Sequence, residues 1–212
     1  MPADALVTFE PRKTPIQARS AVTVESICEA TIQVLLSHGA DRLTTTRVAE
    51  RAGVSVGTLY QYYPNKQALL FAVLESHLNN VAAKVEAACE AACHKPLAEM
   101  VREMVEAFVD AKMERADISV ALYRVSGEVG GPALVKRVGQ RSRKAVDRML
   151  QTASDIKFPP DKFAVDTMLS AMQGAMRAQL EAGPSPATVR KSREQLMLLC
   201  QSYMAAATTK RV

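Results

Sequence analysis

Between Thr44 and Lys66 the chain reads TTTRVAERAGVSVGTLYQYYPNK. Thr44, Thr45, Thr46, Ser55, Thr58, Tyr60 and Tyr62 carry hydroxyls there, Gln61 a carboxamide, and Arg47, Arg51 and Lys66 positive charge offset by Glu50 alone. Hydroxyls, amides and cations suit hydrogen bonds to phosphate oxygens, which position a protein, and to base edges, which specify a sequence. Gln61 is the best candidate for a base contact, because a carboxamide pairs bidentately with adenine. Motifs for bond-making catalysis are missing by comparison: there is no H-E-x-x-H, no G-x-S-x-G and no phosphate-cradling glycine loop. The expectation is a chain with no catalytic residues and no cofactor.

Two short helices and a tight turn are needed to hold these groups. The first runs from about Thr45 to Arg51, with Val48, Ala49 and Ala52 inward at helical spacing. Thr44 caps it, and its exposed N-terminus, bearing Thr45 and Thr46, attracts anions through free N–H groups and the helix dipole. Gly53 stops it, since glycine adopts the left-handed conformation without steric cost. Val54 plugs the turn and Ser55 caps the second helix. That helix carries Thr58 to Tyr63 and ends at Pro64, after which Asn65 caps the next. Leu59 and Val48 pack a small core. Small residues at the turn let the two helices cross closely, which is the requirement of a helix-turn-helix whose second member enters a major groove.

The composition extends the helical reading to the whole chain. Of 212 residues, 48% are hydrophobic but only 5% aromatic, with no tryptophan. Ala, Leu, Glu, Met, Lys and Arg dominate the long segments, which favours an all-α fold. Breakers and caps divide the chain into about nine helices. The first spans about Val22 to His38 and the fourth about Asn65 to Cys93. After His94-Lys95-Pro96 a fifth reaches about Arg115. Asp117 caps a short sixth to about Ser126, and Gly127, Gly130, Gly131 and Pro132 turn into a seventh ending near Ala153. Pro159-Pro160-Asp161 opens the eighth, which ends near Gly183-Pro184, and Ser185-Pro186 opens the last, to about Ala207. No apolar run is long enough to span a membrane, and Met-Pro-Ala-Asp does not start an export signal. A cytoplasmic location is the expectation, with Cys28, Cys89, Cys93 and Cys200 as free thiols, none lying in a C-x-x-C pair.

Several other clusters admit a functional and a plain structural reading. Cys89, Cys93 and His94 suggest a metal or thiol sensor, but a zinc site needs four well-spaced ligands, so buried or idle cysteines are preferred. The net charge of +5 is modest. Lys136, Arg137, Arg141, Arg143, Lys144 and Arg148, offset by Asp147, form a basic cluster best read as a solvated helix face. Arg12, Lys13 and Arg19 lie in a Pro-containing segment, residues 1–20, read as a flexible basic arm able to reach phosphates or a minor groove. Ten methionines more often fill irregular cores than line pockets. Ala171, Gly174, Ala175, Ala178 and Ala182 form a stripe of small side chains that lets another helix approach.

The segment from about Val22 to Val81 resembles the TetR family of transcriptional regulators. The likeness is carried by Ile27 to Leu36 closing at Gly39, by Thr44 to Thr46, by the turn Ala52-Gly53-Val54-Ser55, by Gly57-Thr58-Leu59-Tyr60, by Tyr62-Tyr63, and by Lys66 with Leu69 and Leu70 behind it. The resemblance implies a basic arm (1–20), a three-helix DNA-binding domain (21–81, motif 44–63) and a helical effector-binding and dimerisation domain (82–212). It implies contacts to an operator in double-stranded DNA from Thr44, Thr45, Thr46, Arg47, Ser55, Val56, Gly57, Thr58, Tyr60, Gln61, Tyr62 and Lys66. Tyr60 and Lys66 would meet phosphates, and Tyr63 would pack in the core. Charged or polar residues often occupy the positions of Thr46 and Val56 in relatives, so base specificity does not carry over.

The resemblance further implies a homodimer and an unidentified small-molecule effector, with no membrane partner. Met104, Phe108, Tyr123, Met172 and Met176 are the candidate pocket residues. Ala171, Gly174, Ala175 and Ala178 are the candidate interface, since TetR-like proteins pair through their last two long helices. The implied function is a repressor released from a near-palindromic operator by its effector. An activator or an effector-independent DNA binder is the alternative, and a carrier or enzyme with a vestigial DNA-binding head the reading from another class.

Overall fold

The computed structural model describes residues 18–157, 159–183 and 185–209, and among them every regular element is helical. Helix α1 spans Ala18–His38, α2 Thr45–Ala52, α3 Val56–Tyr62, α4 Lys66–Ala92 and α5 Leu97–Glu114. Helix α6 spans Ala116–Val125, α7 Gly131–Leu150, α8 Lys162–Glu181 and α9 Pro186–Thr209, with a 3-10 turn at Ser126–Val129 before α7. The all-α expectation therefore holds. The described residues form two compact units: those up to Leu78 with Asp117–Val135, and Asn79–Ala116 with those from Lys136 onward.

In the first unit, Ile27, Ala30 and Val34 repeat at helical spacing along α1 and are buried with Val48 and Ala49 of α2, Leu59 of α3 and Leu69, Leu70 and Val73 of α4. Gly53 sits at φ 68°, and its N–H reaches the carbonyls of Ala49 and Glu50, so the left-handed residue closes α2. Residues 117–135 bury Ile118, Leu122, Val125 and Val129, and Ser119 Oγ lies 2.9 Å from His77 Nε2.

In the second unit, α5 packs on α9 and α9 on α8. Met100, Met104 and Phe108 of α5 are buried, as are Met168, Met172 and Met176 of α8 and Leu196, Cys200 and Met204 of α9. Unbranched thioethers suit such helix crossings because three rotatable bonds adapt to irregular gaps. Two connections are stitched together. His94, at φ 67°, donates its N–H to Thr152 Oγ1 at 2.9 Å, and Ser154 N–H donates to the Lys95 carbonyl at 3.1 Å. Pro96 offers α5 no side-chain cap, so Asp155 Oδ1 supplies one from across the unit, accepting from Leu97 N–H at 2.7 Å.

Two expectations need correction. Helix α1 starts at Ala18, not near Val22, because no breaker lies between Pro15 and that point; Arg19 belongs to the helix, while Arg12 and Lys13 lie outside the described residues. Asp117 does not cap α6, which already begins at Ala116 and holds Asp117 in its first turn. A carboxylate there still complements the helix dipole, and the break before it comes from Arg115, at φ −131° and ψ 61°.

Glycine substitutions in α7 test this packing. A Cβ on Gly131 would clash with the Ser126 carbonyl, whereas one on Gly139 would meet nothing within 4 Å. Gly131→Ala should destabilise the protein by about 1–3 kcal/mol, and Gly139→Ala should stabilise it by about 0.5–1 kcal/mol. Denaturant melts of both variants should move in opposite directions.

Candidate nucleic-acid interface and an apolar groove

Helix α2 starts where Thr44, in extended conformation, accepts the Arg47 N–H on its hydroxyl at 3.3 Å. Helix α3 starts the same way, Ser55 Oγ accepting the Thr58 N–H at 3.0 Å and lying 2.8 Å from Thr58 Oγ1. Leu59 is buried, and this one anchor turns Val56, Gly57, Tyr60 and Gln61 outward, all four being exposed. Tyr60 OH lies 3.0 Å from Thr45 Oγ1, joining α3 to the first turn of α2. Among the described residues nothing hydrogen-bonds the Gln61 carboxamide.

The cations around this face are held by protein acceptors. Arg47 Nη1 donates to the Arg42 carbonyl at 2.5 Å, Arg51 Nε to Gln33 Oε1 at 2.5 Å, and Lys66 Nζ to the Ala40 carbonyl at 3.3 Å. Tyr63 is buried with its hydroxyl 3.4 Å from Cys28 Sγ, and burial pushes both groups above their usual titration ranges. The structure thus brings Thr45 and Tyr60 together, pairs Ser55 with Thr58, leaves Thr46, Val56, Gly57 and Gln61 on the surface and half-buries Tyr62. Gln33 and the Arg42 carbonyl, which steady the arginines, carry no local sequence signal and emerge only from packing.

The description "Bacterial regulatory proteins, tetR family" matches residues 27–73, which contain α2, the turn and α3 whole. "Tetracyclin repressor-like, C-terminal domain" matches residues 96–204. The chain belongs to the tetR family. Over 60 residues it is 38% identical to the HTH-type transcriptional repressor KstR of Mycolicibacterium smegmatis, a stretch covering 28% of this chain and 29% of that repressor. The chain therefore matches less than a third of that relative's length. In fold it is similar to a TetR-family regulator from Mesorhizobium loti, with a TM-score of 0.74 and 14% identity over 90% of this chain and 98% of the other. It is also similar to LfrR from Mycobacterium smegmatis, solved in complex with proflavine, with a TM-score of 0.58 and 22% identity over 88% and 98%.

In this tetR-family chain, Met104, Phe108, Met172 and Met176 are buried in the second unit, while Tyr123 is half-buried and belongs to the first. None of the five lines either of two surface grooves. One groove runs between α8 and α9, where Ala175 and Ala178 face Gln195, Leu198, Leu199 and Tyr203. Leu198 is 60% and Leu199 46% exposed, and Ala171 and Gly174 continue the same exposed stripe. Helix α9 is thus apolar on two sides: one faces the core through Leu196, Cys200 and Met204, the other faces outward. The α9 residues escaped the sequence reading because LMLLC is apolar without a break, which hides the periodicity that separates two faces.

The basic cluster of α7 is partly spent on ion pairs within the second unit. Arg141 donates to Asn79 Oδ1 and Glu86 Oε2, each at 2.9 Å, and Arg143 pairs with Asp166 at 2.7 Å and Asp147 at 3.2 Å. Burial alone pulls the Lys112 ammonium of α5 down to about 8. No described helix is long and apolar enough to cross a membrane.

The Cys89 and Cys93 pair can be tested for reactivity. Cys93 Sγ donates to the Cys89 carbonyl at 3.4 Å, and burial pushes the Cys89 thiol up to about 12 and the Cys200 thiol to about 11. A thiol reacts through its thiolate, so raising the pKa depletes the reactive form at pH 8. Alkylation of the native protein at pH 8, followed by peptide mass analysis, should label half-buried Cys93 first. Cys89 and Cys200 should label only after denaturation; native labelling of Cys89 as fast as Cys93 would contradict this.

Proposed function

We propose that the protein is a homodimeric DNA-binding transcriptional repressor released from a near-palindromic operator by a small-molecule effector, acting in the cytoplasm. The observation that carries this reading is the outward face of α3, held by buried Leu59 and tied to the α2 N-terminus through Tyr60 and Thr45. Two such faces would enter major grooves one helical turn apart. Family membership, and a relative that is itself a named repressor, support repression over activation.

The effector half of the proposal rests on the second unit. LfrR, similar in fold, was solved with proflavine, and we assign an apolar small molecule to the Met104, Phe108, Met172 and Met176 region of this chain. Such a ligand would act by binding one of two conformations more tightly, shifting the population away from the DNA-competent state. Helix α4 contributes residues to both units and is the continuous element able to carry the change. For the dimer, the exposed apolar α8–α9 groove supplies a surface that a second copy would cover.

A salt-dependent gel shift on the gene's own upstream DNA tests the central claim, since a carrier or enzyme would give no sequence-selective shift. Tyr60→Phe and Lys66→Ala should weaken binding to all sequences about equally, and Lys66→Ala should lower the slope of log affinity against log salt by about one unit. Gln61→Ala should instead flatten discrimination at one base pair per half-site, at about 1–3 kcal/mol. Equal losses on cognate and scrambled DNA would remove Gln61 from base reading.

Ala178→Trp should fill the α8–α9 groove in both copies of the dimer. Sedimentation should show folded monomers that bind the full operator poorly. A stable dimer with normal operator affinity would place the interface elsewhere.

A further inference from the structure

The outward face of α3 is chemically unusual for a DNA reader because it carries no charge. From Val56 to Tyr62 the helix reads VGTLYQY. The commonest specific contact to guanine is a bidentate arginine or lysine on O6 and N7, and cytosine is read by a carboxylate accepting from its amino group. Helix α3 offers neither. The neighbouring cations Arg47, Arg51 and Lys66 lie outside α3, and each is hydrogen-bonded to an acceptor of the first unit.

Three of the hydroxyls bond within the motif: Ser55 and Thr58 to each other at 2.8 Å, and Tyr60 to Thr45 Oγ1. Tyr62 is half-buried, while the amide of Gln61 and the apolar side chain of Val56 are exposed on the outward face. Val56 is 37% exposed at the start of the helix, where its branched methyls are held out of the core because Leu59 takes the buried side. Gly57, between them, leaves open space: a Cβ there would meet only Ser55 Oγ, at 3.7 Å. A backbone bare at that point can come close to the groove floor, bringing a short side chain such as valine within contact of a base.

Thymine is the base whose major-groove edge carries a methyl group, and adenine is the base whose N6 and N7 match a carboxamide. We infer that α3 reads adenine·thymine pairs, Val56 by burying a thymine C5-methyl and Gln61 by pairing with adenine. The inference rests on the DNA-binding reading above and names the base class that this surface selects.

The test starts by selecting binding sites for the full-length protein from a random double-stranded DNA pool. Each thymine of the enriched half-site is then replaced in turn by deoxyuridine, which keeps the pairing and removes only the methyl. At one position per half-site, uracil should weaken wild-type binding roughly fourfold, the factor for one buried methyl-sized group. Val56→Ala, which withdraws both γ-methyls, should narrow the thymine–uracil difference at that site. The thymine–uracil comparison on wild-type protein does not depend on how the variant folds. Wild-type indifference to uracil at every position, or a Val56→Ala variant with an undiminished thymine preference, would overturn the inference while leaving DNA binding intact. A pool that yields no motif would overturn both.

Discussion

A seven-residue helix cannot persist alone in water, because the cost of nucleating its first turn is repaid by too few hydrogen bonds. Helix α3 therefore exists only through what holds its inner side, and that is chiefly one buried leucine, Leu59. Ser55 closes its N-terminus, and Tyr63, buried just past the helix with its N–H on the Leu59 carbonyl, closes the other end. Every outward group on α3 takes its direction from these three points. The constraint is economical in residues: the inner side is fully specified, and the outer side is left to vary without disturbing the core.

The electrostatics follow the same division. Around α3 the positive groups tie loops of the first unit, Arg47 to the Arg42 carbonyl and Lys66 to the Ala40 carbonyl. A cation already held by a carbonyl loses less side-chain freedom when a phosphate arrives, which favours a preorganised surface. The outward face of α3 is itself neutral, so the charge of this region sits on residues outside that helix.

Helices of the second unit carry apolar surface that their own packing does not bury. Helix α9 turns Leu196, Cys200 and Met204 inward and still presents Leu198, Leu199 and Tyr203 outside, beside the small residues of α8. A helix apolar on both sides is normal for buried positions and costly at a surface. Two connections of the unit are held by side chains distant in sequence: Thr152 bonds the left-handed His94, and Asp155 caps α5 where Pro96 leaves no cap.

The local grammar of the chain was legible in the sequence. Thr44, Ser55 and Asn65 read as caps and Gly53 as a stop, because each acts on backbone groups within a few residues of itself. The helix-turn-helix and the order of the helices follow from such local signals; Asp117 is the exception, since its position suits a cap or a first turn equally and α6 already begins at Ala116. Long-range choices were not legible. The Tyr60–Thr45 bond, the Arg51–Gln33 bond, the return of Asp117–Val135 to the first unit and the second apolar face of α9 all depend on how separate helices pack. Spacing along one helix reports that a face is apolar; only the packing of other helices decides whether that face is core or surface.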